Sequence, residues 1–179
     1  MIKRSSFGFS LLEAALALAI LGIVIAGVWS LSAGAFSSNK KNRLAQQVVY
    51  TVESTRDYLR QVNLQNNSLN TQQAWDLGLL PADIRRGGNF VHPYGGDWEV
   101  NVSAAEISIR LVNLPNDACV DLVYSRLGGS DQNNNNIGLR SYATIGTSGA
   151  TRDFSFNAIT NNCQAQDSGK KSLELFFVP

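Results

Sequence analysis

The chain is poor in the residues that carry most catalysis and metal binding. Its 179 residues include one histidine, two cysteines, one methionine and four prolines. A zinc site draws three or four ligands from His, Cys and carboxylates, and an activated nucleophile needs a base beside it. His92 stands alone next to Pro93, and no second histidine accompanies it. The glycine-rich stretches lack the spacing of a phosphate loop. Residues 125–130 carry no nucleophile-elbow pattern. Asp117 and Asp121 are four apart on a predicted helix, where support of the helix dipole explains them better than acid–base work. The expectation is a protein that is not an enzyme, with no catalytic residue, no metal and no cofactor.

Charge of either sign is also scarce. There are 15 basic and 14 acidic residues, giving a formal net charge of +1 at pH 7. Only Lys40-Lys41, Arg85-Arg86 and Lys170-Lys171 stand in basic pairs. These read as solvated surface, with Lys40-Lys41 near the outer face of a membrane. No nucleic-acid partner is expected from so even a balance.

What is present is a long apolar run. Residues 14–36 are 23 positions without a charge, enough at 1.5 Å per residue to cross a hydrocarbon core of about 30 Å as a helix. Lys3 and Arg4 precede it and keep that end cytoplasmic by the positive-inside rule, with the remainder outside. Glu13 sits at the mouth of the run, although a carboxylate at mid-bilayer costs about 2.5–3.5 kcal/mol on insertion scales. A cleaved secretory signal has a shorter apolar core and a small-residue cut site, for which Ser32-Ala33-Gly34-Ala35 is a weak candidate. A plain membrane anchor explains the length but not Glu13. The third reading places a cut before the helix, after Gly8, so that Glu13 becomes the fifth residue.

The basic leader, the Gly8-Phe9 junction, Glu13 and the unbroken apolar helix resemble the class III signal peptides of type IV pilins and pseudopilins. The resemblance implies that a prepilin peptidase cuts Gly8-Phe9 and methylates the new amine of Phe9. It also implies a role for Glu13 in assembly. Paired with the N-terminal ammonium of a neighbouring copy, the carboxylate would be less penalised in apolar surroundings and would fix subunit register.

Further along, Gly22, Gly27 and Gly34 interrupt the apolar run, and small residues let membrane helices approach closely. Trp29 lies within the same run and is expected to pack between subunits. Leu44, Val48, Val52, Thr55, Leu59 and Val62 then recur at spacings of three and four, the stripe of an amphipathic helix. The helix is therefore expected to continue to about Val62. A loop over 63–70 leads to a short helix capped by Asn70 and ended by Gly78. Residues 85–96 read as a loop. Trp98, Val100 and Val102, then Ile107, Ile109 and Leu111, alternate with polar residues and predict an antiparallel hairpin. A helix should open at Pro115-Asn116-Asp117 and end at Gly128-Gly129. Residues 131–136 read as a polar tip, 140–145 and 153–159 as strands, and 164–171 as a loop. Leu173 to Val178 form a final strand inside the sheet. Trp75, Tyr94 and Trp98 are assigned to packing.

The segments Leu77-Gly78-Leu79-Leu80-Pro81, Pro93-Tyr94-Gly95-Gly96 and Leu114-Pro115-Asn116-Asp117-Ala118-Cys119 are similar to those of type IVb major pilins of the thin-pilus kind. The short leader and Phe9 are instead the type IVa habit. Cys119 and Cys163 are an even pair, and export places them where such pairs close, so a disulfide is expected; two buried free thiols are the alternative.

The resulting expectation is an α+β fold: a long N-terminal α-helix packed on a mainly antiparallel β-sheet. Residues 1–8 would be leader, 9–36 the membrane or filament-core half of the helix, 37–62 its amphipathic half, and 63–179 the head. Implied partners are further copies of the chain, a prepilin peptidase, an inner-membrane pilus assembly platform and membrane lipid before assembly. The prepilin would wait in the inner membrane with its head in the periplasm, then join an extracellular pilus. A minor pilin or type II secretion pseudopilin is the alternative within the family. A membrane-anchored binding protein that does not polymerise is the alternative outside it.

Overall fold

In the computed structural model, residues 11–62, 64, 68–127, 138–144, 149–164 and 170–179 are described, without the side chains of 29–34, 170 and 171. The chain divides into two units, Met1–Asn39 and Lys40–Pro179. Helix α1, Leu11–Gln61, supplies the described part of the first unit and the opening of the second.

Within the second unit, α1 buries Leu44, Val48, Thr51, Val52 and Thr55. Steps of three and four keep these positions on one helical face. Leu44, Val48 and Val52 belong to the same core cluster as the inward residues of the sheet. Leu59 is half-buried and Val62 is exposed, so the stripe fades before the helix stops.

Helix α2, Thr71–Asp76, is closed at its start by a reciprocal capping box. Asn70 Oδ1 accepts from the Gln73 amide, and Gln73 Oε1 accepts from the Asn70 amide. The two bonds satisfy donors that a helix start leaves orphaned. Gly78 follows at φ 72°, which suits a glycine after a helix C-cap. The stretch read as a loop over 85–96 contains a small hairpin, β1 Arg85–Arg86 and β2 Asn89–Phe90. Gly87 and Gly88 both take positive φ between them, the requirement of a tight two-residue turn. The ring of Phe90 lies 5.6 Å from that of Trp75, and the Arg85 guanidinium stacks at 5.3 Å over the same indole.

The main sheet contains β3 Trp98–Val102, β4 Ile107–Pro115, β5 Leu139–Thr144 and β6 Lys170–Phe177. Its order is β3-β4-β6-β5 and every pairing is antiparallel. The last strand thus lies between β4 and β5. Trp98, Val100, Val102, Ile107, Ile109, Leu111, Leu173, Leu175 and Phe177 face the core. The opposite face carries Glu99, Arg110 and Glu174 in register, with Arg110 Nη1 3.3 Å from Glu99 Oε2. Pairing of β4 with β6 slips between Leu111 and Leu114, where Asn113 adopts φ 61°. Such a bulge turns a carbonyl out of the ladder, here that of Val112, which meets His92.

Gly96 lies inside this junction. A Cβ on it would stand 2.6 Å from His92 Nε2 and would collide with the Val112 carbonyl oxygen. Gly96→Ala should therefore destabilise the head by about 1–3 kcal/mol, the range for overpacked sites. Urea titration followed by tryptophan fluorescence measures it, and an unchanged midpoint would contradict the close approach.

Helix α3, Asn116–Val120, starts directly after Pro115 and continues as a π-helical segment, Asp121–Arg126. Gly128 and Gly129, expected to end it, and the tip 131–136 lie outside the described residues. Two readings are corrected here. Residues 153–159 do not form a strand. They lead into α4, Phe156–Gln164, and Ser155 caps it by accepting from the Ala158 amide. Ile159 and Cys163, four apart, are its buried pair. The loop expected over 164–171 is shorter than read, since Gln164 belongs to α4 and Lys170 and Lys171 to β6.

Candidate functional site

The candidate site is the N-terminal segment, and the head is a unit by itself. Gly8 and Phe9 lie outside the described residues. Glu13 occupies the first turn of α1, where the positive end of the helix dipole favours a carboxylate. From Leu11 to Val28 the helix has a mean hydropathy of 2.5, and none of this stretch is buried. Leu11, Leu18 and Ile23 are 90%, 69% and 75% exposed. A helix apolar on all sides belongs in lipid or among other helices. Gly22 and Gly27 have nothing within 4 Å of where a Cβ would stand, so another helix has room to approach there. The side chain of Trp29 lies outside what is described.

In the second unit, polar contacts fix the C-terminal half of α1 to the head. Asp83 accepts from Arg43 Nε at 2.7 Å and from Gln47 Nε2 at 2.9 Å. Burial pushes the Asp83 carboxyl up, but these two hydrogen bonds, the Arg43 charge and a backbone hydrogen bond together hold it below its usual range. Ser54 donates to the Leu79 carbonyl at 2.7 Å, and Arg56 donates twice to that of Val178. Lys40 and Lys41, read from the sequence as plain solvated surface, are both engaged. Lys41 pairs with Asp117 at 3.0 Å, and the Lys40 ammonium lies 5.7 Å from the centre of the Tyr94 ring. Asp117 is thus an ion-pair partner, and Asp121 pairs with Arg126 at 3.3 Å.

Cys119 and Cys163 are bonded to each other, with Cα atoms 5.9 Å apart. Both are fully buried. The bond joins α3 to α4, beside an edge-on contact between Tyr124 and Phe156 at 5.2 Å. Asn162 on α4 donates to the Tyr142 hydroxyl, and its carbonyl accepts from Thr144. Trp98 is a core residue, while Trp75 and Tyr94 are half-buried against the core.

Sequence reasoning missed the surroundings of His92. The ring is wholly buried. Nε2 lies 2.7 Å from the Val112 carbonyl, and Nδ1 accepts from the Tyr94 amide at 3.2 Å. A polar residue between Val91 and Pro93 followed by paired glycines signals a tight turn, but only the bulge at Val112 reveals what the ring is for. Among the described residues no three His, Cys, Asp or Glu side chains group as a metal site.

Residues 3–29 match the prokaryotic N-terminal methylation motif. No curated protein matches the chain significantly. The fold is similar to the crystal structure of a type IVb pilin from Salmonella typhi, with a TM-score of 0.55 and 12% identity over 76% of this chain and 98% of that one. Motif and fold point the same way: the chain carries the prokaryotic N-terminal methylation motif on a fold similar to that of a type IVb pilin.

Proposed function

We propose that the chain is a structural subunit of a type IV pilus, cut between Gly8 and Phe9, methylated on Phe9, and polymerised into a surface filament. The observation that carries this reading is the apolar segment Leu11–Val28, exposed on every side and bearing the methylation motif. Lipid covers such a segment before assembly, and the same segments of other copies cover it afterwards. Buried apolar area contributes about 25 cal/mol per Å² before the entropy cost of association. The partners of this reading are a prepilin peptidase, an assembly platform in the inner membrane, and further copies of the chain. Adhesion, aggregation or mating-cell contact is the role assigned to the finished filament.

The test is the mass of the N-terminal peptide from material sheared off intact cells. The expected peptide begins at Phe9 and carries one additional methyl group. A chain that keeps Met1 and stays in the membrane would instead be an anchored domain that does not polymerise. Methylated Phe9 confined to membranes would indicate a minor pilin or a secretion pseudopilin.

A further inference from the structure

The turn at residues 92–97 is stitched around a single imidazole. The His92 amide donates to the Gly96 carbonyl, and the Gly95 amide donates to the His92 carbonyl. The Val112 amide donates to the Asp97 carbonyl. Because Nδ1 accepts from the Tyr94 amide, the ring proton sits on Nε2, which donates to the bulged carbonyl of Val112. Both nitrogens are in use, and the tautomer is fixed by its partners. A Cβ at Gly96 would crowd Nε2, so the absence of a side chain there is what admits the ring.

The residue that this turn presents is Tyr94. Its ring lies against Lys40, and Lys41 beside it pairs with Asp117. Lys40 and Lys41 open the head unit. The turn therefore closes over the first residues of the head-bound part of α1.

We propose that the His92 turn is an acid-operated latch: closed while the imidazole is neutral, and opened by a proton that releases Tyr94 from Lys40. The incoming proton has only Nδ1 to occupy. An N–H then faces the Tyr94 amide N–H, which loses its acceptor, and a charge is placed in a buried site. Swinging the ring outward relieves both, at the expense of the bond to Val112.

Burial lowers the titration point of His92, against the hydrogen bond to Val112 and the pull of Asp97, which raise it. Asp97 is the carboxylate facing the ring. Around Tyr94 the charged groups are Lys40 on α1, Asp117 on α3 and Asp121 on the π-helical segment. Burial, then Asp117 and Asp121, push the Tyr94 hydroxyl up to about 12, so it stays neutral throughout. A folded-state value below the unfolded one gives stability that is present above the ordinary imidazole range and lost as pH falls through the folded value.

The test uses the full chain in detergent micelles, between about pH 7.5 and about pH 5, the span over which histidine acts as a switch. Nitrogen-15 spectra should show the Nε2–H tautomer, titrating below ordinary histidine. Exchange of the Tyr94 amide, corrected for intrinsic pH dependence, should accelerate by up to about tenfold per pH unit as pH falls from the ordinary imidazole range to that point, and level off below it. The ring-current shift of the Lys40 side chain should disappear with it. His92→Gln can make both hydrogen bonds without titrating and should hold the Tyr94 amide protected throughout. An imidazole that titrates at or above its ordinary value overturns the proposal, as does Tyr94 exchange that ignores the titration. If the glutamine variant does not fold, coincidence of ring titration and Tyr94 opening in the unmodified chain decides.

Discussion

Replacing Glu13 by leucine should leave the head folded and the chain in the membrane, while sheared filaments fall to background. The two halves of this expectation have separate causes. Glu13 lies outside the head unit, so the head's tryptophan fluorescence and disulfide formation should be unchanged. Insertion should become easier, because a carboxylate at mid-bilayer costs about 2.5–3.5 kcal/mol on insertion scales. Assembly should fail on the proposed pairing of Glu13 with the ammonium of a neighbouring Phe9. Losing one partner of a buried ion pair costs about 3–5 kcal/mol, because the other charge stays buried. Glu13→Ala should behave alike. Quantitative blotting of sheared and membrane fractions measures both halves, and a normal filament yield from either variant would refute the pairing.

The next largest effect is expected from opening the disulfide. Cys119 and Cys163 are 44 positions apart, and closing a loop of that length stabilises by about 4 kcal/mol in the chain-entropy account. Small domains have about 5–15 kcal/mol in total, so reduction, or the double change Cys119→Ser with Cys163→Ser, should remove a large share. The loss should begin at α4. That helix has nine residues, too few to persist alone. Beyond the disulfide it is held by Ile159 in the core and by Asn162 bonding to Tyr142 and Thr144. Urea titration with and without reductant gives the midpoint shift, and hydrogen exchange shows whether α4 opens before the four-stranded ladder. A midpoint insensitive to reductant would contradict this account.

The elements readable from sequence are those whose pattern and packing agree. Leu44, Val48 and Val52 announce a helical face because they are buried on one. Trp98, Val100 and Val102 alternate because β3 has one wet side. The Asn70 cap is legible because both of its bonds are local. The failure at 153–159 has the same logic. Phe154, Phe156 and Ala158 alternate like a strand, yet Ile159 and Cys163 are the residues that reach the core, four apart on a helix. A short helix of low apolar content is chosen by its tertiary contacts, which local pattern does not contain. Lys41 was misread for a related reason, since Asp117 is 76 positions away. His92 is the plainest case. Its partner Val112 carries no side-chain signal, because what His92 meets is a backbone carbonyl released by a bulge.

The place of β6 in the sheet has a consequence for how each copy is made. Ile109 waits for Leu175, and Tyr142 waits for the same residue. A growing chain therefore exposes β4 as a raw edge until β6, Lys170–Phe177, arrives, and sequence separations this large slow folding. During that interval the open edge can recruit any other extended segment. Shielding this edge until β6 pairs should therefore raise the share of heads that mature.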